Sequence, residues 1–141
     1  MLVKNKLKRE AYKKIEEFLK QVKHLKPKTI ILFGSYAKNE FTEFSDIDIC
    51  LIAENLPENI FERRSLSGLY KVPSLRVIGY YPKEFLEEIK KPNFFIYDIL
   101  NDGKIIYDDG FIKEAKKLWK KVIKELAIVK NKDKWIFTKS S

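Results

Sequence analysis

Two short apolar runs, joined through a Gly-Ser turn and a pair of aspartates, constrain this chain more than any other feature. The first run, Thr29 to Phe33, ends at Gly34-Ser35, and the second, Ile47 to Ala53, starts inside Asp46-Ile47-Asp48. Short apolar runs of this length read as buried strands. A glycine directly after a strand lets the backbone approach a ligand closely, and a serine next to it suits the start of a short helix. Helix starts present free N–H groups and a partial positive charge, which suits phosphate. On an extended strand residues i and i+2 share a face, so Asp46 and Asp48 are expected side by side. Carboxylates held that close repel each other unless a cation or proton lies between them. A divalent metal carrying nucleotide phosphates meets that need, and Mg²⁺ prefers oxygen ligands of this kind.

Gly34-Ser35, ten intervening residues and Asp46-Ile47-Asp48 together resemble the signature of the nucleotidyltransferase superfamily that includes DNA polymerase beta. The short chain is similar to its minimal nucleotidyltransferase branch, whose members often stand beside HEPN-domain partners. The resemblance spans about residues 28–124, and its motif-bearing part is 32–52. It implies a nucleotidyltransferase fold, with a small mixed sheet and helices packed on it. It also implies that Gly34 and Ser35 hold the terminal phosphates of a nucleoside triphosphate, with Lys38 as their cationic partner. Asp46 and Asp48 are then catalytic and, with a third carboxylate, hold Mg²⁺. A hydroxyl attacks the α-phosphorus, taking the nucleoside monophosphate and releasing pyrophosphate. ATP is the expected donor, a protein or small-molecule hydroxyl the acceptor, and a HEPN-domain protein of a toxin–antitoxin pair the expected partner. Asn39 stands where the family usually has glycine, and Asn is the next-best residue for a left-handed turn.

The third carboxylate is the one part of that pattern not met. In the family it lies near the start of the strand matched here by Ser74 to Tyr80, ahead of a Pro-x-Glu helix. No Asp or Glu occurs from Val72 to Pro82, and alignment on Pro82-Lys83-Glu84 puts Arg76 at that position. A guanidinium has no acceptor and stays protonated, so it binds no metal. The expectation is that Arg76 pairs with Asp46 or Asp48 and that two-metal catalysis is weakened or absent. The alternative is that a carboxylate such as Glu54 or Asp98 enters the site from elsewhere. Three functions therefore stay open: an enzyme transferring a nucleotide, a nucleotide- or partner-binding module on the same fold, and a nucleic-acid end-modifying enzyme. The last has little room for the gripping domains it would need. P-loop chemistry is excluded by the lack of Gly-x-x-x-x-Gly-Lys.

With 141 residues, 45% of them apolar, one domain with a real core is expected over 1–141. The net charge of +9 favours anionic partners, yet the lysines are spread over several helix faces, so nucleic-acid binding should be weak or indirect. Heavy Lys and Glu usage fits a heat-adapted protein. No apolar run approaches the roughly 20 residues of a membrane span, and the amino terminus enters charged helix at once, so a cytoplasmic protein without membrane association is expected. Cys50 is the only cysteine, expected as a buried, inert thiol, and His24 is expected to be exposed.

Periodicity predicts helices over about 6–26, 58–70, 82–91, 93–100 and 111–126, and strands over about 29–33, 46–53, 74–80 and 104–107. The fold class is α/β. Ile60, Phe61, Leu66 and Leu69 are predicted as the apolar face of the second helix, and Trp119 as core. Residues 131–141 read as a polar tail whose Trp135-Ile136-Phe137 packs on the domain or on a partner.

Overall fold

The structure, a computed structural model, describes residues 2–138. A four-stranded mixed sheet forms its centre, in the order β3-β2-β1-β4. The strands are β1 (Pro27–Phe33), β2 (Ile47–Ala53), β3 (Leu75–Tyr80) and β4 (Lys104–Asp108). β1 pairs antiparallel with both β2 and β4, while β2 and β3 run parallel. Helices α1 (Leu2–Val22), α2 (Ile60–Ser65), α3 (Pro82–Lys90), α4 (Phe94–Asp102) and α5 (Phe111–Glu125) are joined by a two-stranded hairpin, β5 (Ile128–Asn131) and β6 (Lys134–Phe137).

Alternation along the central strands creates two cores, because successive side chains leave a sheet on opposite faces. Ile30, Leu32, Ile49 and Leu51 pack with Ala11, Ile15, Phe18 and Val22 of α1. Ile31, Cys50 and Ile52 pack on the other face with Phe85, Ile96, Tyr97 and Trp119. Every residue of β2 is buried, as expected of a strand with neighbours on both sides and layers on both faces. Asp48 lies on the same face as Cys50 and Ile52, at the end of the second core, and this placement decides its chemistry.

Local signals fix several boundaries. Pro82 occupies the first turn of α3, and Asn93 caps α4 by accepting from the Phe95 and Ile96 amides. Asn59 caps α2 in the same way. The second helix is nonetheless much shorter than predicted. It stops at Ser65 because Leu66 turns left-handed (φ 53°), driving its side chain into the first core, where it is fully buried. Ile60 and Phe61 are exposed rather than core-facing, so that predicted apolar face is corrected. Leu126, at the end of the last predicted helix, is also exposed.

The first helix begins earlier than periodicity suggests and gives way after Val22 to a 3₁₀ turn, Lys23–Leu25. α4 runs two residues past its predicted end, through Asn101 and Asp102. The polar tail is a hairpin as far as Phe137, and the last residues of that prediction, 139–141, lie outside the described residues. Cys50 is fully buried, which pushes its thiol pKa up, and Trp119 is core. His24 is exposed.

Candidate functional site

The strand register assembles the site. Phe33 on β1, Asp48 on β2 and Arg76 on β3 are paired in a single row across the sheet. That row lies where β1 ends and β2 and β3 begin, and α4 covers it. The result is a cleft of about 490 Å³ whose lining includes Phe33, Gly34, Lys38, Asp48, Arg76, Phe95, Asp98 and Asp102.

Gly34 follows β1 with φ 71°. A β-carbon there would stand 2.2 Å from Asp48 Oδ2, so only glycine fits both the left-handed backbone and the carboxylate beside it. The chain then makes a single 3₁₀ turn, Gly34–Tyr36, whose Gly34 carbonyl accepts from the Ala37 and Lys38 amides at 3.1 and 3.2 Å. Asn39 is left-handed (φ 61°), the role expected of it, and Lys38 is thereby carried to the cleft. Ser35 is not placed as a cap. Phe33 holds the position before the turn and no side chain caps it; of the predicted site residues, Gly34, Lys38 and Asp48 line the cleft, and Ser35 and Asp46 are not among its lining residues.

The aspartates differ sharply. Asp48 is 9% exposed, whereas the Asp46 side chain stands half in solvent just before β2 begins. Arg76 bridges them, its Nε donating to Asp48 Oδ1 at 2.9 Å and standing 3.5 Å from Asp46 Oδ2. The hydrogen bond to Asp48, reinforced by that carboxylate's charge, holds the guanidinium still more firmly protonated. The pairing expected from the sequence is therefore present. Glu54 is not in the cleft; it forms an ion pair with Lys28. Asp98 does line the cleft, but from the opposite wall.

That wall carries residues the sequence reading largely passed over. Asp98 and Asp102 are one helical turn apart on α4, with Phe95 on the same face. Lys130 of β5 reaches both carboxylates, at 2.9 and 3.2 Å, and Trp135 Nε1 of β6 donates to Asp98 at 2.8 Å. Lys38 Nζ lies 3.9 Å from Asp102 Oδ2, so the hairpin, α4 and the Gly34 turn are linked by charge. Burial lowers the Lys130 pKa, but its hydrogen bonds to Asp98 and Asp102 outweigh this and raise it. The 95-98-102 spacing was the available signal for α4, and Trp135 was expected to pack on the domain or on a partner, but nothing in the sequence placed it or Lys130 at this wall.

The donor set answers the question of metals only in part. Two carboxylates with a guanidinium between them fit one hard cation shared with phosphate oxygens, using the oxygens that Arg76 leaves free. Beside them on β3 stands Arg76, a cation, and no further carboxylate. Among the described residues, no group of three His, Cys, Asp or Glu side chains is placed to hold a metal ion.

A mixed sheet with a Gly-Ser turn against a strand-borne aspartate defines a nucleotidyltransferase-type domain. The family model described as "Polymerase beta, Nucleotidyltransferase" matches residues 13–110, and the chain belongs to that family. Two Methanocaldococcus jannaschii proteins, each named "Putative protein adenylyltransferase", are similar to it. One is 36% identical over 106 residues, covering 70% of this chain and 71% of that protein. The other is 29% identical over 106 residues, covering 69% and 73%. A crystal structure described as a toxin-antitoxin with AMP-PNP superposes with a TM-score of 0.49 at 17% identity, over 79% of this chain and 91% of that one, a likeness too slight to bear on function. No helix among the described residues is long and apolar enough to cross a membrane.

Proposed function

We propose that this chain is a nucleotidyltransferase that moves AMP from ATP to a hydroxyl of a protein acceptor. The observation that carries the reading is the convergence of Gly34, Lys38 and Asp48 on one cleft in a chain of this family. The names of the two relatives support adenylyl transfer to protein. The Gly34 turn gives the triphosphate close access to backbone, and Lys38 supplies a charge for its outer phosphates. Asp48, held against Gly34, fixes the inner end of the site, and Asp46 faces the solvent side from which an acceptor arrives. The acceptor oxygen attacks the α-phosphorus, the α–β bridging P–O bond breaks, pyrophosphate leaves and the hydroxyl proton departs on the Asp46 side. Asp46 and Asp48 would hold a Mg²⁺ ion bound with the nucleotide, and that ion would supply charge neutralisation on the phosphates.

A HEPN-domain protein is the acceptor and partner this reading favours, in a toxin–antitoxin pair acting in the cytoplasm. Co-expression with the product of the neighbouring reading frame, followed by intact mass of both chains, tests it. One added AMP on the partner is expected, and none on coexpression with Asp46→Asn/Asp48→Asn. A partner whose mass is unchanged with the wild-type chain removes the transfer reading.

The Arg76–Asp48 pair favours a second reading, in which the chain binds nucleotide or partner and transfers nothing. Calorimetry separates that from loss of the site: a binding module retains MgATP affinity while the partner's mass stays constant.

A further inference from the structure

Arg76 is anchored in the cleft without being used up there. Its Nε is engaged by Asp48 Oδ1 and lies near Asp46 Oδ2. Its side chain is 69% exposed, and among the described residues neither Nη atom has a hydrogen-bond partner. A guanidinium carries five N–H donors in one plane, so four remain at the end of the side chain once Nε is committed. That fork lines the same cleft as Gly34 and Lys38. A planar, permanently charged fork matches paired phosphate oxygens better than any other side chain. Asp48 holds the guanidinium by its stem and so orients the free end.

We propose that Arg76 is a ligand of the nucleotide's phosphates: Nε stays on Asp48 while the Nη fork takes phosphate oxygens. The polypeptide thereby supplies a cationic charge at the place where a three-carboxylate site would recruit a second divalent ion. The inference rests on the nucleotide-binding reading above. It has a consequence that distinguishes this chain from a three-carboxylate site. Three clustered carboxylates repel a bare triphosphate, whereas Arg76 and Lys38 beside two carboxylates attract one. Part of the affinity for ATP should therefore survive removal of divalent ions. An Arg76 that merely plugs the site gives the opposite sign, because its removal would then strengthen binding.

Isothermal titration of the wild-type chain, Arg76→Gln, Arg76→Lys and Arg76→Asp with ATP, in Mg²⁺ and in EDTA, tests this. The wild type is expected to bind ATP in EDTA. Arg76→Gln should lose roughly tenfold to a hundredfold in EDTA and less in Mg²⁺, with Arg76→Lys in between. Arg76→Asp should bind no ATP in EDTA, and should bind Mn²⁺ more tightly than wild type by electron paramagnetic resonance. Circular dichroism checks folding, which the exposure of Arg76 predicts to be preserved. Equal affinity of wild type and Arg76→Gln in EDTA overturns the inference alone, as does tighter binding by Arg76→Gln. A wild type that binds ATP in neither condition overturns the nucleotide-binding reading together with it.

Discussion

At the scale of single residues, two positions combine strain, burial and charge in ways that substitution can expose. Gly34 holds a left-handed backbone while its α-carbon leaves no space for a methyl group beside Asp48. Gly34→Ala should cost about 1–2 kcal/mol from the backbone alone, and the clash adds to it by pushing Asp48 out of line. Urea denaturation should show the loss, and calorimetry should show MgATP affinity falling with it. Glu84 is the second position. Arg63, almost wholly buried, donates to both its oxygens at 2.7 and 2.8 Å, and Arg64 and the Tyr81 amide add further bonds. Burial pushes this carboxyl up, but those hydrogen bonds outweigh it and hold the pKa at about 2. A carboxyl depressed on folding stabilises above its unfolded pKa and ceases to do so as pH falls through the folded one. Wild-type stability should therefore drop between about pH 4.5 and pH 2, by up to about 3 kcal/mol from this group. Glu84→Gln should be less stable at pH 7 by about 3–5 kcal/mol, since it strands Arg63, and should lose less across that acid window. Chemical denaturation at a series of pH values reads both effects.

At the scale of elements, the carboxy-terminal hairpin is the piece whose role periodicity did not reveal. Trp135 packs edge-on against Tyr97 and Trp119, with centroids 5.5 and 6.1 Å away, and bonds Asp98 through its indole N–H. The expectation that this aromatic cluster packs on the domain holds for Trp135, whereas Ile136 and Phe137 stay exposed. Trp135→Ala should cost about 2–3 kcal/mol from lost burial. It should also release Asp98 and, through Lys130 and Asp102, loosen the α4 wall. A drop in melting temperature is expected, with amide-exchange protection lost first in the hairpin and in α4. Unchanged protection of α4 would show the hairpin to be an independent ornament.

At the scale of the whole molecule, the net charge of +9 is carried by lysines spread along the sequence, and several of them are paired. Lys90 and Lys91 are engaged with Glu87 and Glu88 on their own helix, and Lys28 with Glu54 and Asp109. Binding to nucleic acid should therefore be weak and lost as salt rises, because it reflects released counterions rather than base contacts. Fluorescence anisotropy with single-stranded RNA should show affinity falling steeply between 50 and 200 mM salt, a range in which such contacts weaken by orders of magnitude. Tight binding that persists at high salt would favour a nucleic-acid acceptor over a protein one.

The sequence by itself determined the central strands, the glycine turn between them and the shared region of Gly34, Asp46 and Asp48, because apolar runs and special backbone positions act locally. It also anticipated that Arg76 pairs with these aspartates, which the Arg76–Asp48 hydrogen bond bears out. Only the tertiary structure decided that α2 ends at Leu66, because a core vacancy, and not helix propensity, captured that side chain. Likewise only the fold left Asp46 half in solvent and Asp48 in the interior, and brought Lys130 and Trp135 to the α4 wall. Those contacts join residues about 30 to 40 positions apart. Strand register and hairpin packing fix them, and no local pattern of residues encodes either.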